Sequence, residues 1–231
     1  MPKGLVDFVT WPWPRWRRLT IFISPLATPA GAMFGCNVII VPYEEAISRL
    51  WADHDLLLAR AEGLTEAQLA ASYRLATGPL GDFCESLHDL VAHVLMWDEI
   101  NLAVLAEAAA GRVHWSLDPQ WETPDAGRML NRGGVEAGRR LPAGLLLHRL
   151  RTVRDALLAE LARYSGQAWT EAGRLPELAQ GVGGLAQRVW TVPGQLAFWH
   201  AAIHLNQLPR ETSAASQRRT PDETERGAAQ R

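Results

Sequence analysis

The chain has 231 residues, enough for one domain with a full hydrophobic core and room for tails. An apolar content of 48% and a charged content of 21% exclude wholesale disorder. The net charge of −2 is spread along the sequence and leaves no clustered basic face, so nucleic acid is not an expected partner.

The two cysteines, Cys36 and Cys84, form no CxxC pair and no set of spacings. Neither a disulfide scaffold nor a cysteine zinc site is therefore expected, and a reducing, cytoplasmic interior fits. Residues 1–42 read as an extension outside the domain. Trp11, Trp13 and Trp16 lie in a Pro-interrupted stretch, and Arg15, Arg17 and Arg18 precede the run LTIFISPLATPAGAMFGC. That run is similar to the charged and apolar regions of an export signal. Pro25 and Pro29 break it, it is too short for a membrane span, and the residues before Cys36 fit a lipoprotein cleavage box poorly. An over-long gene model, with translation beginning near Met33, or a disordered extension is the preferred reading over export.

From Tyr43 the pattern becomes helical. Ile47, Leu50, Trp51, His54, Leu57, Leu58 and Ala61 share one face of a first helix that Gly63 stops. Thr65 caps a short helix through about Tyr73, and TGPLGDF is a turn-rich connector. Ser86 opens a second long helix, with Asp89 standing where a capping box has glutamate. Its stripe runs through Leu90, Val94, Trp97, Asn101 and Leu105 to Gly111. Residues 111–141 read as a long connection with a short helix around Ala126–Val135, the kind of loop that often carries function. Pro142 starts a third long helix marked by Leu145, Leu146, Leu150, Val153, Leu157, Leu161 and Tyr164. A Gly-rich connection follows over 165–190. Pro193 opens a fourth helix carrying Leu196, Phe198, Trp199, Ile203 and Leu208, and Pro209 stops it. The polar stretch 209–231 lacks periodicity and reads as a disordered tail. No long segment alternates with period two. The expectation is an all-α, antiparallel four-helix bundle over residues 43–208 with two long connections.

The chemistry lies in histidines. His200 and His204 are four residues apart, so on a helix they stack on one face and can reach one ion at roughly 2.0–2.1 Å. His93 sits in DLVAHVLMW, on a helix that can meet the fourth. A lone buried histidine is ordinarily a hydrogen-bonded core residue, and three satisfied core histidines are the bland alternative. His54 reads as core, His88 as exposed, and His114 and His148 as loop or surface. Asp98 and Glu99 read first as a solvated pair and second as a group that orients a ligand.

The stretch SLHDLVAHVLMW (86–97) resembles the second helix of the DinB/YfiT-like superfamily, and HAAIHLNQL (200–208) resembles its late HxxxH segment. The two motifs occur in the order that superfamily requires. Glu85 stands where a tryptophan is frequent, and Leu205-Asn206 replaces a usual Arg-Gly. The run RGGVEAGRRLPAGLLLHRLRTVRDALL (132–158) is similar to the ClbS/DfsB branch.

The resemblance implies that His93, His200 and His204 bind one divalent ion (nickel, zinc, iron or manganese) with positions open to water or substrate. It implies use of a low-molecular-weight thiol, as in S-transfer or related detoxification, with metal-dependent hydrolysis as another activity. Arg132, Arg139 and Arg140 are then candidates to recognise the carboxylates of a thiol cofactor. Trp97 and Trp199 would line the open positions under part of the 111–141 connection. A small molecule or thiol is the expected partner, with at most a second copy of the chain as a homodimer and no membrane. No nucleophile, general base or phosphate loop is legible, which keeps a non-enzymatic metal-binding or ligand-sequestering role open.

Overall fold

The computed structural model describes residues 39–72, 82–191 and 196–208, which form helices and connections with no strand. The extension up to residue 38, most of the 77–83 connector, Pro193 and the stretch 209–231 lie outside the described residues. Among the described residues no helix is long and apolar enough to cross a membrane.

Helix α1 (Tyr43–Ala61) carries Glu44 and Glu45 in its first turn and Arg60 in its last, the polarity its dipole favours. Leu50, His54, Leu57 and Ala61 are buried as the stripe requires. Trp51 is instead 46% exposed, and Asp53 is wholly buried on the core side. The docked chain begins before α1. Val41 donates its N–H to Gln187 Oε1 (2.8 Å), and its carbonyl accepts from the Trp169 indole (2.9 Å).

After a one-turn helix, α2 (Glu66–Leu69), closed by a Thr65–Gln68 capping box, comes α3 (Leu87–Ala109). Ser86 Oγ accepts from the Asp89 N–H at 3.2 Å, as the motif requires. The reciprocal half differs: Asp89 Oδ2 accepts from Glu85 N–H (2.8 Å), the aspartate being one methylene shorter than the glutamate of a capping box. Gly111 (φ +73°) ends the helix where the sequence places the stop.

The connection at 111–141 is mostly helix. Two 3₁₀ turns (Trp115–Leu117 and Pro119–Glu122) lead into α4 (Pro124–Arg139), capped by Thr123 with proline in the first turn. Gly134 and Gly138 allow α4 to pack closely on α3. A Cβ at Gly138 would lie 2.2 Å from Ala92 Cβ, and one at Gly134 would lie 2.2 Å from Met96 Sδ. Helix α5 (Ala143–Ala162) follows, with Leu145 46% exposed and Leu146, Leu150, Leu157 and Leu161 buried. Its first N–H is capped from afar: Ala143 N–H donates to both Glu66 carboxylate oxygens (3.0 and 2.9 Å).

The second connection also holds structure, with 3₁₀ turns at Gly166–Trp169 and Pro176–Leu178 and helix α6 (Gly181–Val189). The expected fourth long helix is short. Among its described residues only α7 (Ala201–Leu205) is helical, and Phe198 sits at φ +67°, a conformation that no helix tolerates. Helix α3 packs against α4 and α5, and α1 packs against α5 and α7. One core cluster gathers Leu57, Leu90, Val94, Leu146, Leu150 and Ala201. A second gathers Leu50, Leu105, Leu157, Leu161, Trp169 and Phe198. The segment from Phe198 to Ala201 thus crosses from one cluster to the other.

Candidate metal centre

Two elements bring the three histidines together. His93 is buried at the second turn of α3, and His204 is buried near the end of α7. His200 is the N-cap of α7 and already has right-handed helical backbone angles (φ −92°, ψ −56°). The four-residue spacing therefore works although the helix is barely more than one turn. Upstream, Phe198 fixes the approach: its N–H donates to Trp190 O (3.0 Å), its ring stacks on Trp190, and its side chain is fully buried. A left-handed non-glycine residue costs on the order of 1–3 kcal/mol, and this packing holds it there.

His93 Nε2 lies 3.1 Å from His200 Nε2 and 3.2 Å from His204 Nε2. All three ligand atoms lie within 4.8 Å of one another, and no cysteine or carboxylate among the described residues joins them. A neutral imidazole offers one N–H and one lone pair, so His93 Nε2 can complete a hydrogen bond with one of these neighbours but not both. Nitrogens at about 2.05 Å from one ion lie about 2.9 Å apart at right angles and about 3.3 Å apart at the tetrahedral angle. The two separations fall inside that range. The donor set thus fits a divalent ion better than it fits a hydrogen-bonded core triad.

Protonation agrees with this. Burial, then the neighbouring histidines, hold His93 well below the usual imidazole range. Burial, then His204 and Arg154, do the same for His200. Burial lowers His204 to about 4, against a small opposing effect of Gln207. All three rings are neutral near pH 7, each with a lone pair to give. His204 Nδ1 faces Gln207 Oε1 at 3.4 Å, and in the tautomer that donates to this oxygen the lone pair lies on Nε2. His93 Nδ1 is buried with no partner, while the Phe83 ring packs against the imidazole.

The other candidates are placed elsewhere. Arg139 forms a bidentate pair with Asp89 (2.8 and 2.7 Å) that ties the end of α4 to the start of α3. Arg140 is exposed with Glu136 at 3.9 Å, and Arg132 is exposed on α4. The Trp97 indole donates to Asn131 of α4 (2.9 Å), and Trp199 is half-buried. His88 is buried rather than exposed, because its Nε2 donates to the Leu141 carbonyl (3.1 Å) in the turn between α4 and α5. His54 is buried as expected, His148 is exposed, and His114 caps the first 3₁₀ turn. Burial pushes the Cys84 thiol far above its ordinary pKa, which removes it as a nucleophile.

Sequence reasoning missed a buried polar group behind the site. Asp53 accepts from the N–H groups of Ala201 (3.0 Å) and Ala202 (2.8 Å). Arg154 lies 4.0 Å from Asp53 and donates to Asp98 (3.1 and 2.7 Å) and to Leu50 O (2.8 Å). Asp98 is therefore core, not a solvated face. The signal was present: Asp53 follows Leu50 by three residues, and Arg154 follows Leu150 by four, so both are charged residues at core positions.

Comparison with models of known families, with characterised proteins and with solved structures gives no match, so the site is read on its own geometry.

Proposed function

We propose that the chain is a metal-dependent enzyme of the DinB/YfiT type, acting on a small molecule through a single divalent ion held by His93, His200 and His204. The observation that carries this reading is the approach of the His200 and His204 Nε2 atoms to 3.1 and 3.2 Å from His93 Nε2, with the three ligand atoms within 4.8 Å of one another. Three protein ligands leave coordination positions free, the pattern of catalytic rather than structural sites. The ion, when bound, would lower the pKa of a water or a thiol at those positions. The chain's own residues prepare the donors: Gln207 offers its side-chain oxygen to His204 Nδ1, and burial disfavours protonation of the rings.

Low-molecular-weight-thiol transfer is the activity we favour, on the resemblance of the two histidine motifs. The test is cobalt-substituted protein titrated with a small thiol. A sulfur-to-metal charge-transfer band supports thiol chemistry, and a spectrum that no thiol changes counts against it. The absence of a carboxylate or cysteine beside the three histidines, among the described residues, favours a second reading: a bundle that sequesters a ligand without transforming it. A thiol that binds the metal yet undergoes no transfer to any electrophile would select that reading.

A further inference from the structure

We infer that Asp53 is the positioning residue of the metal centre, holding the turn that carries two of its three ligands; this rests on the metal reading above. Helix α7 has five residues, too few to be stable alone, and His200 supplies no side-chain cap. The first N–H groups of such a helix need acceptors. Both come from α1: Asp53 Oδ2 takes Ala201 N–H (3.0 Å) and Oδ1 takes Ala202 N–H (2.8 Å), with Asp53 wholly buried. These two amides directly follow His200 and directly precede the turn ending in His204. Their anchor sets where both imidazoles stand relative to His93 on α3.

The carboxylate is itself held. Arg154, on α5, lies 4.0 Å from Asp53 and is fixed by Asp98 and by the Leu50 carbonyl. The chain supplies a control in Glu66 of α2, an exposed residue whose two carboxylate oxygens both accept from the single N–H of Ala143 at the start of α5, a helix that carries no ligand. Loss of either cap lowers stability. Only loss of the Asp53 cap should loosen the ligand pair.

The experiment measures cobalt(II) affinity, the ligand-field spectrum and the thermal midpoint of the metal-free chain for wild type, Asp53→Asn, Asp53→Glu and Glu66→Gln. Asp53→Asn presents an amide N–H₂ to one donor, and Asp53→Glu keeps the charge beside Arg154 while moving the acceptor. Either should weaken cobalt binding about 10- to 100-fold, as loss of groups that orient ligands does, with an altered spectrum. Glu66→Gln should lower the midpoint and leave affinity and spectrum as in wild type. If Asp53→Asn does not fold, Asp53→Glu gives the result. Wild-type affinity in the folded Asp53 variants, or equal weakening in Glu66→Gln, overturns the inference while leaving the three-histidine site standing. A wild-type chain that binds none of cobalt, zinc, nickel and manganese overturns the metal reading and this inference with it.

Discussion

Arg154 of α5 grips Asp98 of α3 through two hydrogen bonds, at 3.1 and 2.7 Å, with both side chains essentially inaccessible to water. The pair ties two long helices together beside the segment that carries His200. Removing one member strands a buried charge, so Asp98→Leu or Arg154→Met should each cost about 3–5 kcal/mol in urea denaturation. The double variant Asp98→Leu/Arg154→Met should cost clearly less than the sum of the singles. Additive losses would show that the two charges do not depend on each other.

The glycines of α4 should respond in opposite directions. A Cβ at Gly133 meets nothing within 4 Å, so Gly133→Ala should stabilise by about 0.5–1 kcal/mol through helix propensity. A Cβ at Gly138 would lie 2.2 Å from Ala92 Cβ and 3.3 Å from its Cα, so the helices must separate. Gly138→Ala should therefore destabilise by about 1–3 kcal/mol in spite of the same propensity gain. Equal effects at the two positions, by chemical denaturation, would contradict the close α3–α4 crossing.

How much was legible follows from these residues. Periodicity located α1, α3 and α5, because each buries most of an apolar stripe (Trp51 and Leu145 are exposed exceptions), and the HxxxH spacing located His200 and His204. It failed where a residue acts through its neighbour. The stretch 111–141 reads as a long connection with only a short helix, because the use of Gly134 and Gly138 lies in Met96 and Ala92 on another helix. The apolar run after Pro193 read as a helix, yet Phe198 is held at positive φ by Trp190, a contact no local pattern encodes. Arg139 read as a candidate for an anionic ligand, and its partner is Asp89 fifty residues away in sequence. Asp53 and Arg154 were legible as charges on apolar stripes, but not the bonds they make.

His54 contributes to the pH dependence of metal-free stability with the same sign as the three histidines of the site. Burial first, and Arg154 second, lower its pKa to about 4, while an unfolded chain has about 6.5. The unfolded chain then binds more protons between those values. The stability due to His54 is complete above about pH 6.5 and is lost as the pH falls through about 4. The full shift corresponds to roughly 3 kcal/mol at 1.36 kcal/mol per pKa unit. Metal-free His54→Gln should lose less stability than metal-free wild type between pH 7.5 and 4.5. Identical pH profiles in urea denaturation would show that His54 does not titrate as a buried neutral group.

The most direct test of the central claim is the metal content and affinity of single-histidine variants. Protein stripped and then reconstituted with zinc, nickel, cobalt or manganese is passed through a desalting column and analysed for metal. Wild type should retain about one ion per chain for at least one of these metals. His93→Ala, His200→Ala and His204→Ala should each lose it or bind it at least 100-fold more weakly, while His148→Ala, exposed on α5, should match wild type. Wild type that retains none of the four metals, or a His93→Ala variant that retains as much as wild type, would contradict a centre built from these three side chains.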